Sequence, residues 1–176
     1  YNPQRGLYTC AKACGECAAG KYSSQNGSRA CTNCTAGQYQ NQKRQQSCIN
    51  CAAGKFSNQD GAVACILCEP GEFSSAGSNT CINCGAGKYS GTNDSSCISC
   101  PAGKYSNRDK AEACTNCTPG QYQDETLQQS CKRCPAGSSA GNNGATQCIA
   151  CQIGFFVSTT GNEICTMCPA GSSTDT

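Results

Sequence analysis

Apolar side chains are sparse along this chain and fall at fixed places in a short repeating frame. The frame is set by ten Cys-x-x-Cys pairs, the first at Cys14 and Cys17 and the last at Cys165 and Cys168. Three residues after the second cysteine of every pair stands a glycine: Gly20, Gly37, Gly54, Gly71, Gly87, Gly103, Gly120, Gly137, Gly154 and Gly171. Two residues further comes an aromatic, at Tyr22, Tyr39, Phe56, Phe73, Tyr89, Tyr105, Tyr122 and Phe156, with Ser139 and Ser173 as exceptions. The residue after the first cysteine is usually β-branched, as at Thr32, Ile49, Ile66, Ile82, Ile98, Thr115, Ile149 and Thr166. Such residues favour short extended segments. The stretches between, such as 23–30 and 90–96, are rich in Ser, Asn, Gln, Gly and Asp, which form turns and not helices. An unvarying glycine implies positive φ or a close backbone approach. Each unit therefore predicts a brief strand, a Gly-aromatic turn, a polar loop and a return strand, with almost no helix. The aromatic is expected to lie against the disulfide as the unit's largest apolar group, and the two serine units to be looser.

The step between pairs is 17 residues, shortened to 16 from Cys65 to Cys81 and from Cys81 to Cys97. The shortening falls in the polar loop, as a surface turn tolerates. A longer period lies on top: 19–48 matches 102–131 at an offset of 83 residues, so five units form one super-repeat. The fold class expected is a small disulfide-rich one, an elongated tandem-repeat rod of about ten units of 16–17 residues. In such a quasi-one-dimensional array each unit is expected to touch only its neighbours. Residues 1–13 form a lead-in and 14–176 the repeats, the last incomplete.

Composition explains why the units need staples. The 176 residues include 21 Cys, no Trp, one Met, four Phe and three Leu, so little apolar surface is available to bury. A cysteine content this high marks a secreted scaffold held by cross-links. Net charge is +2 with charges spread thinly, which argues against nucleic acid or an anionic membrane as partner. Residues 1–9 hold no apolar leader segment and no run is long enough to span a membrane, so any anchor is expected outside these residues.

A bonding scheme repeated in every unit cannot join first cysteine to first cysteine without using one sulfur twice. One uniform scheme closes each Cys-x-x-Cys on itself, the geometry of a redox catalyst and a poor structural cross-link. The other joins each pair to the next: Cys17 to Cys31, Cys34 to Cys48, Cys51 to Cys65, Cys68 to Cys81, Cys84 to Cys97, Cys100 to Cys114, Cys117 to Cys131, Cys134 to Cys148 and Cys151 to Cys165. An interleaved two-unit scheme would fall out of phase with a five-unit duplication, which counts against it without deciding. The pair-to-next scheme is preferred, and each of its loops contributes roughly 3 kcal/mol in the chain-entropy model. Cys10 and Cys14 are then left to bond each other. Cys168 is unpaired in this segment, awaiting a continuing chain or a second one.

Other chemistries fit these residues less well. Zinc would suit paired Cys-x-x-Cys, but ten pairs in series, no His and few basic residues speak for disulfides, so no metal or other cofactor is expected. Redox catalysis wants one activated pair, and without His or a carboxylate constellation no enzymatic activity is expected. Lys21, Lys55, Lys88 and Lys104 precede aromatics, but interruptions at Gln38, Glu72 and Gln121 favour a solvated face over a ligand stripe. Four Asn-x-Ser/Thr sequons occur, Asn26 and Asn93 in loops and Asn33 and Asn116 within pairs. Glycans are expected at the loop sites first.

The run CISCPAGKYS at 97–106 resembles the ephrin-receptor-like cysteine-rich repeat, and the resemblance extends from Cys14 onward. It is also similar to the first loop of tumour-necrosis-factor-receptor cysteine-rich modules, an analogy that supports the pair-to-next scheme. Similar repeats occur in large surface proteins of ciliates and other protists. The resemblance implies an extracellular or cell-surface, secreted setting. The function expected is a structural one: a glycosylated stalk, coat or filament segment whose partners are itself or other extracellular matrix or surface proteins. The alternative is the ligand-binding ectodomain of a receptor, which would concentrate binding in a few atypical modules.

Overall fold

The computed structural model describes residues 16–25, 28 and 30–172. Among these are eighteen strands of two residues, from β1 (Lys21–Tyr22) to β18 (Thr166–Met167), and no helix. Each strand pairs antiparallel with one partner, giving nine separate two-stranded ladders. Nine disulfides join the second cysteine of each pair to the first of the next, from Cys17–Cys31 to Cys151–Cys165. We number modules one to nine by these bonds. Cys10, Cys14 and Asn26 lie outside the described residues.

The local structure follows from the glycine. In residues 18–21 the Lys21 N–H donates to the Ala18 carbonyl at 3.1 Å, with Gly20 third in the turn at φ 81°. A type II turn demands positive φ at that place, which an L residue resists and glycine does not. The turn delivers the Lys-Tyr strand against the residues inside the next Cys-x-x-Cys, in the register Lys21↔Asn33 and Tyr22↔Thr32. Cys34 N–H then donates to the Gly20 carbonyl at 2.9 Å. The same plan recurs in the later modules, with Pro70 and Pro119 supplying a pre-set φ at the second turn position.

The chain divides into two compact units, residues 1–68 with 74–81, and residues 69–73 with 82–176. Within each unit up to three backbone hydrogen bonds tie a module to the next. The turn glycine donates to the carbonyl of the residue following the next module's aromatic, as Gly20 to Gln40 and Gly103 to Gln123, both at 2.7 Å. That following residue donates onward to the next loop, Gln40 to Ala62 and Gln123 to Ala145, both at 3.0 Å. A loop residue donates back to a cysteine carbonyl, Gly61 to Cys34 at 2.7 Å and Gly144 to Cys117 at 2.8 Å.

Contact does not stop at the neighbour, contrary to the expectation from one-dimensional arrays. A Cβ on Gly20 would lie 2.1 Å from the Gly61 carbonyl oxygen two modules along, and one on Gly103 would lie 2.2 Å from that of Gly144. The glycine is thus required twice, by its φ and by the backbone seated on it. The loop residues that do the seating also hold positive φ, at Gly61, Gly77, Gly144 and Gly161, and at Lys110 and Leu127.

This close backbone packing decides the core. The buried side chains are the second cysteines from Cys17 to Cys134, the residue after the aromatic or its serine replacement (Gln40, Ser57, Ser74, Ser90, Ser106, Gln123, Ala140 and Val157), and the small Ala62, Ala111 and Ser138. The aromatics from Tyr22 to Tyr122 are half-buried and Phe156 is exposed, so the largest apolar groups of the units are not their interior. Where modules meet through main chain, only a small or hydrogen-bonded side chain fits between them. Gln40 shows the second solution, its amide donating to the Ser47 carbonyl at 2.9 Å. Gln123, 83 residues later in the other unit, donates to Ser130 at 2.7 Å. The super-repeat is therefore a repeat of interior chemistry. Among the described residues no buried side-chain nitrogen or oxygen lacks a partner, as a polar interior requires.

Candidate functional surface

The outward face of each module is the strand inside Cys-x-x-Cys. Between two bonded cysteines these two residues have no layer above them, so Ile49, Ile66, Ile82 and Ile98 are all about half exposed. Each is opposed by an aromatic: Tyr39↔Ile49 and Phe56↔Ile66 in one unit, Phe73↔Ile82 and Tyr89↔Ile98 in the other. Such cross-strand pairs shelter part of each side chain. Lys21, Lys55, Lys88 and Lys104 occupy the first position of the opposite strand, facing Asn33, Leu67, Ser99 and Asn116. Sequence reading placed these elements but missed the Ser/Gln/Ala position after the aromatic. Its recurrence at one place in every unit was the available signal.

Charge gathers in one place in the larger unit. Lys110 Nζ lies 2.7 Å from Glu69 and 3.0 Å from Glu72, beside an open groove of about 510 Å³ lined by Glu69, Pro70, Arg108, Asp109, Lys110 and Glu112. The hydrogen bond from Lys110 holds the Glu69 carboxyl below its ordinary value, and the two carboxylates hold the Lys110 ammonium above its own. Asp109 also accepts from the Ala86 N–H of the preceding module at 2.9 Å, as Asp60 does from Ala36 in the other unit. These aspartates brace the glycine turn. Lys132 makes a similar exposed pair with Asp124 at 2.7 Å and sits 6.0 Å above the Tyr122 ring. Glu16 pairs with Arg44 in the smaller unit. Exposed pairs of this kind contribute little to stability.

The sequons take different positions. Asn93 is exposed in its loop at φ 69°. Asn33 and Asn116 are exposed on strands, each followed by a buried, disulfide-bonded cysteine. A Cβ on Gly61 would meet the Asn33 side chain at 3.7 Å, and one on Gly144 would meet Asn116 at 3.6 Å. Those two side chains therefore lie beside a neighbouring loop, whereas Asn93 does not share that place. Among the described residues no three His, Cys, Asp or Glu side chains gather as a metal site would.

Module nine departs from the others. Ile153 is 95% exposed, and Ile164 and Met167 are largely so, as is Ile149 on the ladder of module eight. Ile149, Phe155 and Ile164 line a groove of about 290 Å³ shared with Ser139 and Gly141 of module eight. In place of an aromatic there, the Ser139 hydroxyl donates to the Cys165 sulfur at 3.4 Å. Cys168, beyond the groove, is half-buried and free.

A family described as "Tyrosine-protein kinase ephrin type A/B receptor-like" matches the chain five times, over residues 20–68, 71–111, 87–119, 103–147 and 137–176. No curated protein matches it significantly.

Proposed function

Because the chain belongs to the family of ephrin type A/B receptor-like cysteine-rich repeats, we propose that it serves as an extracellular structural scaffold, a stiff segment of a stalk, coat or filament. Cysteine-rich repeats of this kind, with nine disulfides, mark an extracellular or cell-surface domain. The observation that carries the scaffold reading is the recurrence of one main-chain joint along each unit. Each turn glycine from Gly20 to Gly137 donates to the next module's backbone at 2.7–2.9 Å. Within each unit that main-chain joint resists bending whatever the surface residues are, and a disulfide in each loop resists unfolding and proteolysis. Electron microscopy of native, non-reduced protein tests this. Regular fibres or a lattice are expected. Flexible isolated molecules that capture a soluble partner would replace the scaffold with the receptor reading, which the atypical module nine favours.

Glycosylation belongs to the same proposal. Asn93, exposed at a loop residue of positive φ, carries a glycan, whereas Asn33 and Asn116 sit between a ladder and a disulfide-bonded cysteine and carry less. Intact mass before and after glycosidase measures occupancy, and an unchanged mass would refute it.

A further inference from the structure

The loop of module eight places an asparagine directly before the glycine that seats on module six. Asn143–Gly144 is one of two Asn-Gly pairs in the sequence, and the other, Asn26–Gly27, lies outside the described residues. Asn-Gly is the pair most prone to lose its side-chain amide, because glycine has no side chain to shield its backbone nitrogen from the neighbouring carboxamide. Asn143 is exposed and lines an open groove of about 270 Å³, so water reaches its amide. Its counterpart 83 residues earlier is Asp60, which stands before Gly61. That pair is held twice: the Asp60 carboxylate accepts from the Ala36 N–H at 2.9 Å, and the Gly61 N–H donates to the Cys34 carbonyl at 2.7 Å. Where one unit has Ala36 the other has Pro119, which carries no N–H to hold the Asn143 side chain. One lock remains there. The Gly144 N–H donates to the Cys117 carbonyl at 2.8 Å, and the Gly144 carbonyl oxygen sits 2.2 Å from where a Gly103 Cβ would be.

We propose that Asn143 is a conformation-gated deamidation site, closed while module eight is seated on module six and reactive when that seat opens. The Gly144 nitrogen attacks Cγ of Asn143. The N–Cγ bond forms, the Cγ–Nδ2 bond breaks, and ammonia leaves with the proton from the Gly144 nitrogen. Water then opens the succinimide, at Cγ to give aspartate or at the Asn143 main-chain carbonyl to give isoaspartate. No oxidant or reductant takes part. Reaching Cγ requires turning the Asn143–Gly144 peptide, which removes its N–H from Cys117 and shifts a residue fixed at φ 74°. The seated loop is therefore protected, and the reaction rate follows the fraction of time the joint is open. Isoaspartate routes the main chain through one more carbon, so Gly144 cannot return over Gly103. A transient opening thereby becomes a permanent one. The same gate operates whether the array is a scaffold or a receptor.

Peptide mapping of the whole chain after warm incubation at mildly alkaline pH tests the gate, read as aspartate and isoaspartate formed at position 143. The native chain is compared with Gly103→Ala, whose Cβ displaces the seated carbonyl, and with the reduced, alkylated chain as the unfolded limit. Asn143 is expected to persist longest in the native chain, to react at least about tenfold faster in Gly103→Ala, and to react fastest when unfolded. A disulfide map verifies that the variant keeps its bonds; if it misfolds, the native and unfolded rates decide the gate by themselves. In native protein that has acquired isoaspartate, hydrogen exchange is expected to quicken at the Gly144 amide and across modules six to eight. Equal rates in the native and unfolded chains, or a correctly bonded Gly103→Ala that reacts no faster than the native chain, overturn the gate. Unchanged exchange in the isoaspartate-bearing chain overturns the permanent opening.

Discussion

Modules six and nine share a loop of the same length, with cysteines 14 residues apart in Cys100–Cys114 and in Cys151–Cys165, and both turn on a positive-φ glycine. Their surroundings differ. Gly103 is buried under the Gly144 carbonyl, whereas a Cβ on Gly154 would meet nothing within 4 Å. Cys100 is fully buried and Cys151 is half exposed. The module is therefore a covalent and local unit, but its interior is completed by the two modules that follow. Among the described residues no later module packs on module nine, so the two modules separate what the loop does alone from what packing adds.

Removing the staple should separate the two modules most. Cys100→Ala with Cys114→Ala is expected to cost up to about 5 kcal/mol, because it opens the loop and leaves a void at a buried sulfur; the matching change at Cys151 and Cys165 should cost nearer about 2 kcal/mol. Arrays do not unfold as one state, so hydrogen exchange resolved by module is the fitting measurement, and equal losses would mean the later modules add nothing. The glycine comes next. Gly154→Ala should incur only the left-handed backbone cost of about 1–2 kcal/mol, and Gly103→Ala about 2–4 kcal/mol, since its Cβ also strikes a carbonyl. Urea unfolding with disulfides intact would show the gap, and no gap would remove the next-but-one contact as the reason for this glycine.

A smaller and opposite effect is expected at the loop residue that does the seating. Leu127 holds φ 66° at the place where module eight has Gly144. Leu127→Gly should gain about 1 kcal/mol, read as slower exchange of its own amide bond to Cys100. The smallest effect is electrostatic and belongs to modules four to six, not to nine. Because Lys110 lowers the folded pKa of Glu69, their pairing stabilises above the ordinary carboxylate value and is lost as pH falls through the lowered one. For Lys110, whose pKa is raised, the stabilisation is present at neutral pH and lost as strongly alkaline pH passes the raised value. Titration of Glu69 by NMR should show a lowered midpoint that returns to normal in Lys110→Met.

Period, turn and strand were legible because each is written in a few adjacent residues. Gly20 with its tetrapeptide specifies a turn, Tyr22 and Thr32 an antiparallel pair, and serial cysteines a stapled loop. The core was not legible. Sequence reading named the aromatics as each unit's largest apolar groups and named no interior, which Ser57, Ser90 and Gln123 occupy. Hydrophobicity ranks side chains by transfer from water, whereas these interiors are closed by backbone hydrogen bonds, and there the criterion is fit and satisfied polarity. The family resemblance carried the extracellular setting, and residue identity alone could not show that module nine's apolar side chains face one groove.

By itself, then, the sequence determined everything of short range: the cross-linked class, the repeat length, the turn at each glycine and the hairpin beyond it. Only the tertiary structure decided why the glycine never varies, which residues are inside, and which surface stands apart. Those depend on residues about 40 positions away, such as Gly61 over Gly20 and Gly144 over Gly103. Covalent geometry and turn chemistry act within a few bonds, whereas steric exclusion acts wherever the folded chain returns, and no local pattern encodes that place.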